Sequence, residues 1–324
     1  MSPSLAVTSP SFSRHPVLGP ETCRRYPAAR LNLAGDRLSE SGLAAFVGDA
    51  TALIVGLERI DETLLAACPG LRYVAKYGVG LDNIDFDACA RRQVRVGYRA
   101  GVNAGAVAEL ALALAIGFRR NLFREARNMA GGIWHKDGGF GLSETCVGII
   151  GLGHVGRAFT RLLRAAGARV LATDIVDIDD WCAAHGVAAV TPAALLQEAQ
   201  IVSLHVPLTE RTRFMVDAAF LARMRADAVL INTARGDVVD LDALLAALQS
   251  GRIAGAALDV FDVEPPHRPE LLAHPGIVAT PHIAGNSNEA VLAMGRAALD
   301  ALDELLSQDA KASDPRRQAA EARS

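Results

Sequence analysis

The stretch VGIIGLGHVG (147–156), followed by RVLATD (169–174), decides the fold. An apolar run ends in Gly151, Gly153 and Gly156, a helical pattern begins, and a second apolar run closes on Asp174, eighteen residues after the last glycine. The three glycines serve different ends. One permits a tight turn, one lets backbone amides approach a pyrophosphate, and one lets the helix pack against the strand. The helix N-terminus then offers unpaired N–H groups and partial positive charge to phosphates. Glycine is common here, 29 of 324 residues, so the spacing alone is a weak signal; strand, turn, helix, second strand and terminal acid in register make it a dinucleotide site. A carboxylate at Asp174 accepts ribose hydroxyls, and Ile175-Val176-Asp177 supplies no arginine for a 2′-phosphate, so the expected cofactor is NAD and not NADP.

From residue 146 onward, apolar runs alternate with helical patterns: CVGIIG (146–151), RVLATD (169–174), IVSLHVP (201–207), AVLINTA (228–234), GAALDV (255–260) and IVATPH (277–282). Runs this uniformly apolar suit strands covered on both faces, a parallel, doubly wound α/β sheet. A second α/β unit is expected before residue 100, from TALIVG (51–56), LRYVAKYG (71–78) and VRVGYR (94–99). Between the units, AGAVAELALALAIGFRRNLFREARNM (104–129) reads as one long helix, whose surplus apolar face points to a partner subunit and hence a homodimer. The last helical pattern, 287–309, has no further strand to lead to and is expected to return to the first unit. The expected domains are therefore a discontinuous one, 1–100 with 286–324, and an inserted one, 101–285.

Composition narrows the function classes. At 51% hydrophobic residues and a net charge of −3 with interspersed signs, no nucleic-acid or membrane-surface footprint is expected. No apolar run is long enough to span a bilayer. Cys23, Cys68, Cys89, Cys146 and Cys182 are odd in number and scattered, which suits a reducing, cytoplasmic compartment. Cys182 and His185 alone do not make a metal site, and none is expected. The Ser- and Pro-rich first fifteen residues read as a disordered lead-in, and 311–324 as a frayed polar tail.

Ligands of doubly wound sheets gather at the carboxyl ends of the strands, and three of those ends carry a strongly polar residue. Arg235 follows a strand in NTARGDVVD (232–240), Glu264 lies in DVFDVEPP (259–266), and His282 follows Pro281 in ATPHIAG (279–285). An arginine fork fits a carboxylate, and an imidazole titrates near neutral pH. A neighbouring glutamate favours the imidazolium, so the three together suit hydride transfer to a 2-keto acid.

Seven motifs in order, YGVGLDNID (77–85), NAGAVAELALAL (103–114), GIIGLGHVGR (148–157), HVPLTERT (205–212), INTARG (231–236), ALDVFDVEP (257–265) and TPHIAG (280–285), resemble the D-isomer-specific 2-hydroxyacid dehydrogenases. The resemblance implies a Rossmann NAD-binding domain inserted into a flavodoxin-like substrate domain. It implies that Arg235 binds the substrate carboxylate, His282 donates or accepts the proton, and Glu264 orients and charges that histidine. It places His154 and Val155 at the pyrophosphate with the three glycines, and Asp174 on the adenosine ribose. Val206, Pro207 and Thr212 fall along the adenosine half, and Ala234, Asp259, His282 and Gly285 near the nicotinamide. Val79 and Gly80 offer amides to the substrate carboxylate, and Lys76 is a candidate cation for a further substrate group. His205 matches a position that shapes the cofactor site.

Phosphoglycerate-specific members resemble one another in carrying arginines where this chain has Gly56-Leu57-Glu58-Arg59 and Lys76. The resemblance therefore implies reversible hydride transfer between NAD(H) and a small 2-hydroxy or 2-keto acid, with D-3-phosphoglycerate or a phosphonate analogue as the alternative substrate. No serine-regulated extension is expected. A different class, an NAD-sensing corepressor, is opposed by the retention of all three catalytic candidates.

Overall fold

The alternating apolar runs form two parallel sheets in the computed structural model, which describes residues 3–35 and 38–312. The chain divides into two units, one built from residues up to Asn103 and from Asn288 onward, the other from Ala104–Ser287.

The first unit holds β1 (Leu5–Val7), β2 (Arg30–Leu31), β3 (Ala52–Val55), β4 (Tyr73–Lys76) and β5 (Arg95–Gly97), all parallel, in the order β2-β1-β3-β4-β5. This is the flavodoxin-like order, in which the chain reverses its direction of winding between β1 and β3. The expected disordered lead-in is corrected here: Leu5, Ala6 and Val7 are all buried, and β1 lies between two other strands. Flanking serines and prolines mask a three-residue apolar run from composition, yet Ser9 caps the short helix Pro10–Ser13 by accepting from Phe12 N at 3.4 Å. The helix Asn288–Ala312 packs Ala298, Leu299 and Leu302 into the core beside Leu5, Val7 and Ala75. Arg25 pairs with its Asp300 at 2.7 Å and Asp303 at 2.9 Å. Of the tail expected to fray over 311–324, Lys311 and Ala312 instead continue the helix Asn288–Ala312, and the rest lies outside the described residues.

The second unit contains β6 (Cys146–Ile150), β7 (Arg169–Thr173), β8 (Ala188–Ala189), β9 (Ile201–Leu204), β10 (Val229–Asn232), β11 (Gly255–Leu258) and β12 (Ile277–Ala279), ordered β12-β11-β10-β9-β6-β7-β8. The order reverses between β6 and β9. Two-residue β2 and β8 are too short for periodicity to reveal.

The single helix expected over 104–129 is two, Ala104–Arg119 and Leu122–Ala130, broken at Asn121, whose φ is 54°. Phe140 N donates to Arg119 O at 2.7 Å, taking the carbonyl that another helical turn requires. Phe118 and Phe123 meet edge to face at 5.4 Å across the break. None of the described helices is long and apolar enough to cross a membrane.

Candidate active site

The Gly-rich turn has the geometry a dinucleotide needs. Gly151 follows β6 with φ 93°, and a Cβ there would stand 2.5 Å from His205 O, so a side chain is excluded on two counts. Gly156 is equally constrained, since its Cβ would lie 2.2 Å from Gly151 O. Gly153 is different: nothing lies within 4 Å of a Cβ built on it. It begins the helix His154–Ala165 without a side-chain cap, and the N–H groups of His154, Val155 and Gly156 take no backbone partner among the described residues. An open position over unpaired helical N–H groups fits a pyrophosphate.

At the end of β7, Asp174 is partly exposed and held in place. Oδ2 accepts from Leu152 N at 2.6 Å, while Oδ1 accepts from Ile175 N at 2.7 Å and Val176 N at 3.3 Å. A carboxylate offers about four acceptor sites, so capping both neighbouring turns leaves capacity for a ribose hydroxyl. After β9, Val206 is half-buried and Pro207 exposed; Thr212 Oγ1 donates to Pro207 O at 2.6 Å and closes the intervening loop.

His205 is half-buried as a residue, but its Nδ1 is sealed from solvent and takes no hydrogen bond. Its ring meets Phe159 at 5.5 Å and Nε2 contacts Ser203 Oγ at 3.0 Å. Burial pushes this imidazole down to about 3, so it is neutral at ordinary pH and cannot act as an acid.

The three polar strand ends belong to β10, β11 and β12, adjacent at one side of the sheet. Arg235 follows β10 in extended backbone and donates from Nη1 to Ala234 O at 2.6 Å. Its loop is shaped by Asn232, which accepts from Ala234 N at 3.0 Å and donates to Arg235 O at 2.9 Å. Gly236 must be glycine, because a Cβ would come 1.9 Å from the Phe261 carbonyl carbon.

His282 Nδ1 donates to Glu264 Oε2 at 2.8 Å, and Glu264 Oε1 accepts from Phe261 N at 3.2 Å. Nε2 of His282 has no partner among the described residues and is the nitrogen available for chemistry. The histidine occupies left-handed backbone, φ 54°, unusual for a side-chain-bearing residue. Asp259 explains how that conformation is held. Fully buried, it accepts from Thr280 Oγ1 at 2.6 Å, Ile283 N at 2.8 Å and Ala284 N at 2.9 Å, and its backbone O accepts from His282 N at 2.9 Å. Gly285, at the end of this loop, is partly exposed.

In the first unit, the amides of Val79 and Gly80 have no hydrogen-bond partner among the described residues. Lys76 is 4% exposed, and its ammonium binds Gly56 O and, at 2.8 Å, Asn83 Oδ1. It braces the two loops around it from within. Sequence reasoning missed the bracing roles of Asn232 and Asp259; the only signal was an unbroken polar residue at the end of an apolar strand. The burial of Glu58 is likewise not encoded in its local sequence.

The geometry agrees with comparisons to known proteins. Residues 112–284 match the description "D-isomer specific 2-hydroxyacid dehydrogenase, NAD binding domain". The chain is 38% identical to the (S)-sulfolactate dehydrogenase of Chromohalobacter salexigens over 251 residues, 76% of this chain and 81% of the relative. It is 36% identical to the glyoxylate reductase of Thermococcus litoralis, over 75% of this chain and 76% of that one. The D-lactate dehydrogenase of Aquifex aeolicus, solved with NAD and lactic acid, superposes with a TM-score of 0.83 at 25% identity, covering 95% of this chain and 96% of that one.

Proposed function

The chain belongs to the D-isomer-specific 2-hydroxyacid dehydrogenase family and is an NAD-dependent oxidoreductase of CH–OH donors, and from that premise we propose which of its residues carry the reaction on a small 2-hydroxy or 2-keto acid. Bound NAD supplies the hydride acceptor, or NADH the donor, at the nicotinamide ring. In reduction, His282 gives the proton on Nε2 to the substrate's carbonyl oxygen; in oxidation it takes it back. Glu264, on Nδ1, fixes the ring's orientation and stabilises the imidazolium. Arg235 binds the substrate carboxylate through its guanidinium fork. Asp259, Ala234 and Gly285 shape the nicotinamide end, and Asp259 acts by holding His282. Gly151, Gly153, His154, Val155 and Gly156 take the pyrophosphate, Asp174 the adenosine ribose, and Val206, Pro207 and Thr212 the adenosine half. Lys76 supports the Val79–Gly80 loop through Asn83. The Ala104–Ser287 unit is the cofactor domain, and the other unit is the substrate domain.

The observation that carries this reading is the 2.8 Å pair between His282 and Glu264, which leaves Nε2 open on a backbone held by a buried carboxylate. A stereodefined panel of 2-keto and 2-hydroxy acids, assayed with NADH, NADPH and their oxidised forms, tests it. Wild type should prefer D-isomers and NAD(H), and His282→Asn should bind NADH normally while losing roughly 10²–10⁴ in kcat. An active His282→Asn enzyme would refute the assignment.

The same proposal includes a homodimer. Leu122, Met129, Ile133, Trp134 and Phe140 are all exposed on the helix Leu122–Ala130 and the segment after it, an apolar surface that suits a second copy of this chain. Its five unpaired cysteines suit a cytoplasmic setting.

A further inference from the structure

Glu264 reaches His282 from a stretch of chain that the sheet itself does not hold. Phe261 is buried, and its peptide lies against Gly236, where a Cβ would stand 1.9 Å from the Phe261 carbonyl carbon. Beyond it the support stops. Val263, Glu264, Pro265 and His267 are exposed, and residues 263–267 make no backbone-to-backbone hydrogen bond among the described residues. Pro265 and Pro266, with no N–H groups, cannot donate one. Glu264 makes its 2.8 Å contact with His282 from the middle of this stretch, and its own link back to the core is the 3.2 Å bond that Oε1 accepts from Phe261 N.

Arg268 ends the stretch and closes it. Its Nε and Nη2 donate to Asp262 Oδ2 at 3.2 and 2.7 Å, while Asp262 Oδ1 accepts from Val263 N at 3.0 Å. The side chains of Asp262 and Arg268 are only 25% and 31% exposed, so the pair is stronger than one on the open surface. Arg268 holds the Asp262 carboxyl below the usual carboxylate range. The remaining nitrogen, Nη1, donates to Asp242 Oδ1 at 2.6 Å, on the helix Leu241–Gln249 that follows the Arg235 loop. Asp242 is 83% exposed, so this contact steers the guanidinium and contributes little energy. One guanidinium therefore joins residue 262 to residue 268 across the loop whose middle carries Glu264.

We propose that Arg268 is a positioning residue for the reaction: by gripping Asp262 it closes residues 262–268 into a ring and holds the Glu264 carboxylate against Nδ1 of His282. The inference rests on the reading that His282 moves the proton and Glu264 orients its ring. Arg268 donates to Asp262 and Asp242, and acts on the histidine only through the loop. Without the guanidinium, Asp262 is a partly buried carboxylate that has lost its counter-charge and turns toward water. The exposed stretch then loses its closure, and Glu264 leaves His282 for part of the time. Proton transfer from Nε2 needs a fixed ring, so the loss falls on the chemical step. Arg235 and the glycine turn are untouched, so binding of the acid and of the dinucleotide is preserved.

The test measures single-turnover NADH oxidation with glyoxylate and hydroxypyruvate in a double-mutant cycle of Arg268→Gln and Glu264→Ala. Arg268→Gln should slow the hydride step at least about tenfold, while KM for either acid and the dissociation constant of NADH change less than about twofold. Asp262→Asn, which removes the charge that Arg268 grips, should reproduce that loss. In the Glu264→Ala background, Arg268→Gln should cost less than about threefold, because the carboxylate it positions is already gone. A wild-type rate in Arg268→Gln or in Asp262→Asn overturns the proposal. So does an equal fold-loss in both backgrounds, which makes Arg268 a prop of the domain with no link to Glu264. A Glu264→Ala enzyme at the wild-type rate instead overturns the catalytic reading, a result distinct from the others because Arg268 is still in place.

Discussion

Replacing Asp259 with asparagine tests whether the loop carrying His282 is held by one buried charge. The carboxylate receives two donors on Oδ1, from Thr280 Oγ1 and Ile283 N, and one on Oδ2, from Ala284 N. An amide of the same shape can keep only one oxygen. The cheaper orientation leaves that oxygen toward Thr280 and Ile283 and turns the NH₂ group toward the Ala284 N–H, donor against donor. Losing a hydrogen bond to a charged acceptor while orphaning a buried N–H costs about 2–3 kcal/mol, and the two retained bonds weaken by roughly 0.5–1 kcal/mol each when their acceptor becomes neutral. The sum, about 3–5 kcal/mol, is a large part of a typical domain's 5–15 kcal/mol. Relief comes from shifting residues 280–284, which moves His282. A displacement near 1 Å costs on the order of 10² in rate. Urea unfolding and steady-state kinetics on Asp259→Asn should show the stability loss and a kcat at least about 100-fold down, with NADH affinity changed far less. A variant within 1 kcal/mol of wild type and within threefold in kcat would refute the argument that this carboxylate positions the histidine.

The remaining predictions concern a buried ring and an exposed one. His205 has its pKa depressed to about 3, against about 6.5 when unfolded, so its contribution to stability is complete above pH 6.5 and is lost as the pH falls toward 3. Between pH 7 and 5 this residue alone should remove about 2 kcal/mol of unfolding free energy, and His205→Gln should lack that component in matched urea titrations; identical pH dependence in both proteins would count against a sealed, neutral imidazole. Trp134 is 77% exposed beside Ile133, within the surface proposed to meet a second copy. Sedimentation equilibrium should find a wild-type dimer at micromolar concentration and a dissociation constant at least about 30-fold weaker for Trp134→Ser, whereas a monomeric wild type would dismiss the interface.

Much of the nucleotide-binding unit is legible in the chain because it depends on local chemistry. Gly151 is required by a left-handed turn and a close carbonyl, and Gly156 by a backbone contact within the same few residues. Each strand from β6 to β12, apart from the two-residue β8, announces itself as an apolar run. What stayed hidden depends on partners far along the chain. Leu5–Val7 is too brief for periodicity and becomes a strand only because β2 and β3 pair with it from 30 and 52 onward. The break at Asn121 follows from Phe140 capturing the carbonyl of Arg119, a contact no helical pattern encodes.

The candidate site divides along the same line. By itself, the sequence determined that Arg235, Glu264 and His282 end neighbouring apolar strands, and that a glycine turn and Asp174 suit a dinucleotide. Side-chain type and spacing suffice for that, since strand ends are where such sheets expose their chemistry. Only the tertiary structure decided that Asp259 is a fully buried brace and not a surface acid, and that His205 has its Nδ1 sealed from solvent. It also decided that Lys76 binds Asn83 of its own loops, and that Glu58 is buried, with its carboxylate accepting from Thr8 and Gly56. The physical reason is that a polar residue's role is set by which donors and acceptors reach it and how much water is excluded, and both are fixed by neighbours brought together through folding.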